Sequence, residues 1–460
     1  MTAGAMSLDA DLAALLGRPD LVSAGSSILA LHAHDGSLAP PTTPEVVVFP
    51  ETTQHVAQVM AYANEHVIPV TPYAAGTSSS GKTVPLKGGI SLDMTRMDRI
   101  VAVHDRDFDV VVGPGVLRKA LNVALAEHGL FFPVDPGADA SLGGMASTNA
   151  SGTTTVRYGG MRANILALEV VLADGSIVRT GTRARKTTAG YDMTDLFVGA
   201  EGTLGVITEL TLRAHAIPER IVSARVSFPD LVAAANAVVS VVSLSTILSR
   251  IEMLDGPTLE IVNAHFGTDL NPGPTLFIEV GGSERGVDEE IELIGELCRA
   301  AGGLELAVER DPTAQHRLWD ARHNFGHALA ARFPGRTTIG TDVCVPISVL
   351  PDAVANARRH IDAHGLHACL VAHAGDGNFH FVFMVDPATD EPARVQEIYG
   401  AMVDHALAHG GTCSAEHGIG VEKQGFLQRE HGDLVPAMWA VKRALDPKGI
   451  INPGKILPEP

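Results

Sequence analysis

Pro136-Gly-Ala-Asp-Ala-Ser-Leu-Gly-Gly-Met-Ala-Ser-Thr-Asn-Ala-Ser-Gly152 is a run in which almost every side chain is small. Chain this slender packs directly against a flat ligand or a neighbouring backbone, and its glycines reach dihedrals closed to other residues. Two more loops of the same character flank it in the sequence. The strand-like Ile68-Pro-Val-Thr-Pro-Tyr73 runs into Ala74-Ala-Gly-Thr-Ser-Ser-Ser-Gly81, and Gly199-Ala-Glu-Gly-Thr-Leu-Gly-Val-Ile207 leads into a strand over 208–212. A strand ending in such a loop exposes backbone N–H groups and hydroxyls, which suits a phosphate. The loop after Tyr73 is neither a Walker loop nor a GxGxxG fingerprint, and taken alone it serves equally well as a tight turn. Three loops of this kind in one half of a chain suit a single extended, phosphate-bearing ligand.

The surrounding pattern supplies a scaffold. Glu45-Val-Val-Val-Phe49 reads as a buried strand, and Thr52 opens a helix whose Val56, Val59, Met60 and Ala63 recur at helical spacing. Residues 100–112 alternate as a hairpin, 117–128 are helical, and 167–180 form a hairpin turning at Asp174-Gly175. The character changes near Pro218. Beyond it, helices over 231–242, 289–301 and 351–363 alternate with strands over 274–280, 370–372 and 379–385. That pattern predicts an α+β layer, an antiparallel sheet covered by helices on one face.

A chain of 460 residues exceeds one ordinary core, and its formal charge of −19 argues against a nucleic-acid backbone as partner. Cys298, Cys344, Cys369 and Cys413 lack CxxC spacing, so reduced thiols are expected. No positively charged start followed by an apolar run occurs near residue 1, which predicts a cytoplasmic protein, or one peripheral to the inner face of a membrane.

A separate chemistry lies near the C-terminus. His373-Ala-Gly-Asp-Gly-Asn-Phe-His380 places two imidazoles around a turn, and Glu416-His417-Gly418 follows. Two histidines and a carboxylate are a common ligand set for a catalytic divalent metal, and His417 is a candidate base beside it. Among 20 histidines most are surface or core groups, so the turn and the companion motif carry this reading. Asn378 serves either as a turn residue or as a group orienting a ligand.

Together these motifs resemble the FAD-linked oxidases and dehydrogenases that share the vanillyl-alcohol oxidase fold. The stretches carrying the resemblance are 73–78, 199–208, 373–380, Gly411-Thr-Cys-Ser-Ala-Glu-His-Gly-Ile-Gly420 and Asp446-Pro-Lys-Gly-Ile-Ile-Asn-Pro-Gly-Lys455. Within that superfamily the chain is similar to the metal-dependent D-2-hydroxyacid dehydrogenases, and above all to cytochrome-type D-lactate dehydrogenases. The resemblance implies an α+β protein with a two-part FAD-binding domain and a substrate (cap) domain. The FAD-binding domain would span 1–217, the substrate domain with the metal-binding histidines 218–415, and a returning C-terminal segment 416–460.

By the same resemblance Ala74, Ala75, Gly76, Thr77 and Ser78 hold the FAD diphosphate. Pro136, Ser141, Gly143, Gly144, Ser147, Asn149 and Gly152 run along the flavin and ribityl chain. Glu201, Gly202, Gly205, Val206 and Ile207 line the ribityl-to-adenine region, and Asn452 lies near the isoalloxazine. The loop after Tyr73 has no histidine, which implies non-covalent FAD. His373, His380 and Glu416 are the implied ligands of one divalent metal, Zn2+ or Mn2+, with His417 as the base. Arg322, within Trp319-Asp-Ala-Arg-His-Asn324, stands where relatives place a substrate-carboxylate arginine and would grip it through two parallel hydrogen bonds.

The reaction implied is oxidation of a D-2-hydroxy acid, with D-lactate foremost. Relatives acting on D-2-hydroxyglutarate carry a lysine two positions before the counterpart of Asp342 and a polar residue two after the second histidine. Gly340 and Val382 stand there, so a small monocarboxylate such as lactate or glycolate is favoured over a dicarboxylate. A quinone, a cytochrome or an electron-transfer flavoprotein would take the electrons, and a homodimer is an allowed assembly. A non-redox flavin transferase of the same fold is the competing class.

Overall fold

A computed structural model describes residues 7–304 and 306–459, with the side chain of Ala321 left aside. The chain divides into two compact units, one of residues 7–151, 159–217 and 416–459, the other of 152–158 and 218–415. Residues 152–158 thus group with the second unit, although the sequence reading leaves them in the N-terminal domain. Among the described residues no helix is long and apolar enough to cross a membrane, and none of the four cysteines is in a disulfide.

The first unit contains two larger sheets and a two-stranded one that pairs Leu130–Phe131 with His215–Ala216. In the four-stranded sheet Val22–Ser23 pairs antiparallel with Val46–Val48, and Ile90–Asp93 lies parallel between Val46–Val48 and Val70–Tyr73. The helix Thr53–His66 follows Val46–Val48 because Thr52 caps it, its side chain accepting from the His55 N–H. Such a cap contributes about 1 kcal/mol. Val56, Val59, Met60 and Ala63 are fully buried, as their spacing requires. The second sheet is antiparallel, ordered Ile100–His104, Asp109–Val112, Val206–Arg213, Ile165–Val171, Ile177–Gly181. Both hairpins read from the sequence form.

The last segment returns to the first unit and is bolted there. Val70 N–H donates to Ile450 O and Asn452 N–H to Val70 O, so 450–452 adds a partner to the edge strand that feeds the Ala74–Ser78 loop. The bolt is the buried pair Lys442 and Asp446. Lys442 Nζ donates to Asp446 Oδ2 (2.6 Å), Thr203 O (2.7 Å) and Ile451 O (2.8 Å), while the Asp446 carboxylate accepts from the Ile450 and Ile451 N–H groups. Burial lowers the Lys442 pKa, opposed by the carboxylate of Asp446.

The second unit is one eight-stranded sheet with antiparallel pairing throughout, its central strands being Thr275–Gly282, Leu248–Leu254, Ala368–His373 and Asn378–Val385. Every residue from 275 to 281 is buried. Successive strand side chains point to opposite faces, so both faces are covered, not the one face expected. On one face Leu259, Val262, Trp319, Phe325 and Leu329 pack with Phe277, Cys369, Val371 and Met384. The alternate positions Ile278, Leu370, Phe381 and Phe383 are also fully buried. The difference arises because helices Gly256–Phe266, Pro312–His323 and Phe325–Arg332 have no strong apolar period to announce the face they cover.

Asp446→Ala is expected to cost the first unit about 3–5 kcal/mol, because it strands a buried ammonium and two N–H donors. Denaturant unfolding of the purified protein checks this, and a loss below about 0.5 kcal/mol would remove the pair from its structural role.

Candidate active site

In the first unit the three small-residue loops line a cavity of about 380 Å³. Ala74, Ala75, Gly76, Thr77 and Ser78 form one wall. Pro136, Ser141, Gly143, Gly144 and Ser147 form a second. Glu201, Gly202, Gly205, Val206 and Ile207 form a third, and Glu416 and His417 complete the lining. Asn149, Gly152 and Asn452 do not line it. Asn149 ends the helix Leu142–Thr148 in a left-handed conformation. Asn452 is a buried brace, its Nδ2 donating to Lys82 O (3.1 Å) and Glu201 O (2.8 Å).

The loop after Tyr73 turns at Gly76, whose φ is +68°. A Cβ there would collide with the Tyr73 hydroxyl, so this glycine is a steric requirement. The Tyr73 ring in turn lies 4.3 Å from the imidazole of His32, which is held by Asp93 at 3.0 Å. The Glu-His-Gly motif has an equally local cause. Gly418 has φ +68°, and a Cβ would overlap the carboxylate of Glu201. Glu201 accepts from the Ile419 and Gly420 N–H groups, at 2.6 and 2.9 Å. Burial pushes its carboxyl above the usual carboxylate range, against the opposing effect of Lys82. Lys82 Nζ also donates to the His417 carbonyl. Glu416 accepts from Ser151 Oγ (3.3 Å), and its Oε1 lies 3.6 Å from His417 Nε2.

In the second unit the sheet register gathers the other candidates. Met253 pairs with Ala372 and Val371 with His380, so Glu252, His373 and His380 sit on three adjacent strands. The two histidine rings are 5.6 Å apart and nearly perpendicular. His373 Nδ1 lies 2.8 Å from Glu252 Oε1 and His380 Nδ1 2.8 Å from the Thr341 carbonyl. Both contacts require a protonated Nδ1, which leaves Nε2 of each ring as the nitrogen with a lone pair. Rings oriented this way fit a divalent metal, to which each would present Nε2.

Arg322 is buried at 8% exposure on the helix Pro312–His323. Its Nε (3.0 Å) and Nη2 (2.5 Å) both donate to Glu252 Oε2. That edge of the guanidinium is committed within the protein. Burial opposes ionisation of Glu252, but His373 and Arg322 outweigh it and hold its pKa below the ordinary value.

Asn378 is a structural residue, donating to Asp342 Oδ1 (3.1 Å) and Val343 O (2.8 Å). Asp342 also accepts from Ser414 Oγ (2.8 Å) and the Ala415 N–H (3.1 Å), which fixes the chain just before Glu416. Gly340 and Val382 are direct cross-strand partners, and nothing lies within 4 Å of where a Gly340 Cβ would be. Lys82 and Glu252 were missed by sequence reasoning and Asp342 entered it only as a landmark, because an isolated charge gives no spacing signal.

The FAD binding domain family matches residues 44–181, and the family of FAD linked oxidases, C-terminal domain, matches 217–456. A probable mitochondrial D-lactate dehydrogenase of Danio rerio is 43% identical over 95% of this chain and 89% of its own length. A mitochondrial D-lactate dehydrogenase [cytochrome] of Arabidopsis thaliana is 42% identical over 90% of this chain and 74% of its own. Glycolate oxidase subunit GlcD of Bacillus subtilis is 32% identical over 93% and 92%.

Among solved structures, p-cresol methylhydroxylase with substrate bound superposes with a TM-score of 0.79 at 18% identity, covering 97% of this chain and 96% of its own. An alkyldihydroxyacetonephosphate synthase superposes at 0.75 and 19%, covering 96% and 85%. At such identities these two establish the fold alone. The cytoplasmic placement expected from the N-terminal sequence is overturned, since the D-lactate dehydrogenase relatives are named as mitochondrial. The chain belongs to the FAD-linked oxidase family, with the vanillyl-alcohol oxidase fold, and is a flavoprotein oxidoreductase of the D-lactate dehydrogenase kind.

Proposed function

We propose that this protein oxidises a D-2-hydroxy monocarboxylate, D-lactate foremost, to the 2-oxo acid. The observation that supports it most is the gathering of His373, His380 and Arg322 around Glu252 in the second unit. FAD held non-covalently supplies the acceptor for the C2 hydride, and a divalent Zn2+ or Mn2+ supplies a Lewis acid for the 2-hydroxyl. His373 and His380 offer it Nε2 atoms, and Glu416 is the carboxylate that the motif assigns. Arg322 binds the substrate carboxylate through its Nη1 end. His417 takes the hydroxyl proton, a contribution of roughly 10²–10⁴ in rate. Proton to imidazole and hydride to flavin together account for the two hydrogens lost.

Gly340 and Val382 support the preference for a monocarboxylate. Val382 lies two residues from His380 on the same strand and so shares its face. Gly340 lies opposite it, and neither residue has a side chain that would offer a distal carboxylate a charge or a hydrogen bond. Glycolate is the second substrate to consider, on the strength of the GlcD relatives. Relatives named D-lactate dehydrogenase [cytochrome] support a cytochrome as the electron acceptor over a quinone or an electron-transfer flavoprotein.

Mixed anaerobically with the metal-replete protein, D-lactate is expected to bleach the visible flavin band, L-lactate to leave it intact, and a chelator to abolish the change. His417→Asn should slow bleaching roughly 10²–10⁴-fold with flavin content unchanged. Failure of both D-lactate and glycolate to reduce bound flavin would return the transferase reading. For specificity, Gly340→Lys combined with Val382→Asn should shift the kcat/KM ratio towards D-2-hydroxyglutarate by at least about tenfold. An unchanged ratio would remove these positions from substrate selection.

A further inference from the structure

Glu252 lies within the strand Leu248–Leu254 with its side chain wholly removed from solvent. Its cross-strand partner is the fully buried Phe277. A carboxylate in such a place persists only if both oxygens find strong partners. Oε1 accepts from His373 Nδ1, and Oε2 accepts from Arg322 Nε and Nη2. One buried anion therefore joins the first imidazole ligand to the arginine that meets the substrate.

The two histidines are not equivalent in this respect. His380 rests its Nδ1 on a backbone carbonyl, that of Thr341. Asp342 Oδ1 lies farther off, 3.8 Å from that nitrogen, whereas the carboxylate behind His373 is in direct hydrogen-bond contact and is also shared with Arg322. A carboxylate behind a ligating imidazole fixes its tautomer and raises its basicity. The same carboxylate holds the Nε–Nη2 edge of the guanidinium and thereby sets the direction of Nη1.

We infer that Glu252 is a positioning residue that couples metal ligation at His373 to recognition of the substrate carboxylate at Arg322. This rests on the roles proposed above for those two residues. Glu252 touches neither substrate nor metal; it acts through its neighbours. Positive charge arriving at His373 polarises the carboxylate towards Oε1 and loosens its hold on the guanidinium. Substrate drawn to Arg322 works in the opposite direction through the same group. Metal and substrate affinities are therefore linked, and linkage of this kind is reciprocal.

The test uses the full-length, FAD-loaded enzyme stripped of metal and titrated with Zn2+ against a chromophoric chelator, with and without pyruvate, followed by steady-state turnover of D-lactate at saturating metal. In Glu252→Gln a single amide oxygen cannot serve both partners, and its NH2 faces a cation. That variant should bind Zn2+ roughly 10–100-fold more weakly. Its KM for D-lactate should rise more than its kcat falls, and the effect of pyruvate on Zn2+ affinity seen in the parent should shrink to what direct contact of pyruvate with the metal contributes. Glu252→Asp keeps the charge but withdraws it by one methylene, so it should move each quantity the same way by less. It also preserves the test if the glutamine variant does not fold.

Unchanged Zn2+ affinity in Glu252→Gln, or a change in metal binding without one in KM, would overturn the inference. Parental Zn2+ affinity in His373→Ala and His380→Ala would instead overturn the proposed metal site, a separate outcome.

Discussion

One buried carboxylate ties together the loops around the cavity of the first unit. Glu201 sits in a left-handed conformation, φ +49°, which side chains other than glycine adopt only when the surroundings hold them there. Its N–H donates to Ser147 O in the second loop, its carbonyl accepts from Asn452, and its carboxylate accepts from Ile419 and Gly420. Four distant stretches of chain thus meet at one residue. Backbones approach closely here, since a Cβ at Gly420 would overlap the Ser80 carbonyl of the first loop and one at Gly143 would crowd Pro114. The low side-chain volume so conspicuous in the sequence is the imprint of that convergence.

The second unit solves a similar problem with charge instead of slenderness. Glu252 and Asp342 are both wholly excluded from solvent, and each organises its surroundings by accepting several donors. Asp342 fixes the approach to Glu416 and also lies 3.8 Å from His380 Nδ1. The chemistry assigned to this unit is carried by histidines and an arginine, but their directions are set by these carboxylates.

Much of the frame was legible because it rests on periodic signals. Val56, Val59, Met60 and Ala63 announce one helix face, and Asp174-Gly175 announces a turn that forms with Gly175 at φ +85°. The loops were legible from composition. What could not be read were pairings between residues far apart in sequence. Glu252 and His373 are separated by 121 positions, and no local pattern predicts that the register of the sheet will bring them together. Arg322 illustrates the same limit. Its position was read from a motif, yet its orientation follows from a glutamate that no motif contains. Asn452 belongs to a recognisable stretch too, but backbone acceptors at Lys82 and Glu201 claim its side chain.

The division of the chain has a consequence for how the protein is made. The second unit needs little beyond one continuous stretch, 218–415, with only 152–158 drawn from elsewhere. The first unit is interrupted by that stretch and is closed by 416–459, whose Ile450–Asn452 pairs beside Val70. During synthesis from the N-terminus, domains tend to fold as their residues emerge. The unit begun first is therefore finished last. Until 416–459 arrives, the edge at Val70 is an unpaired strand and Glu201 has no Ile419 or Gly420 to hold, so the cavity is completed only after His373 and His380 are already in their sheet.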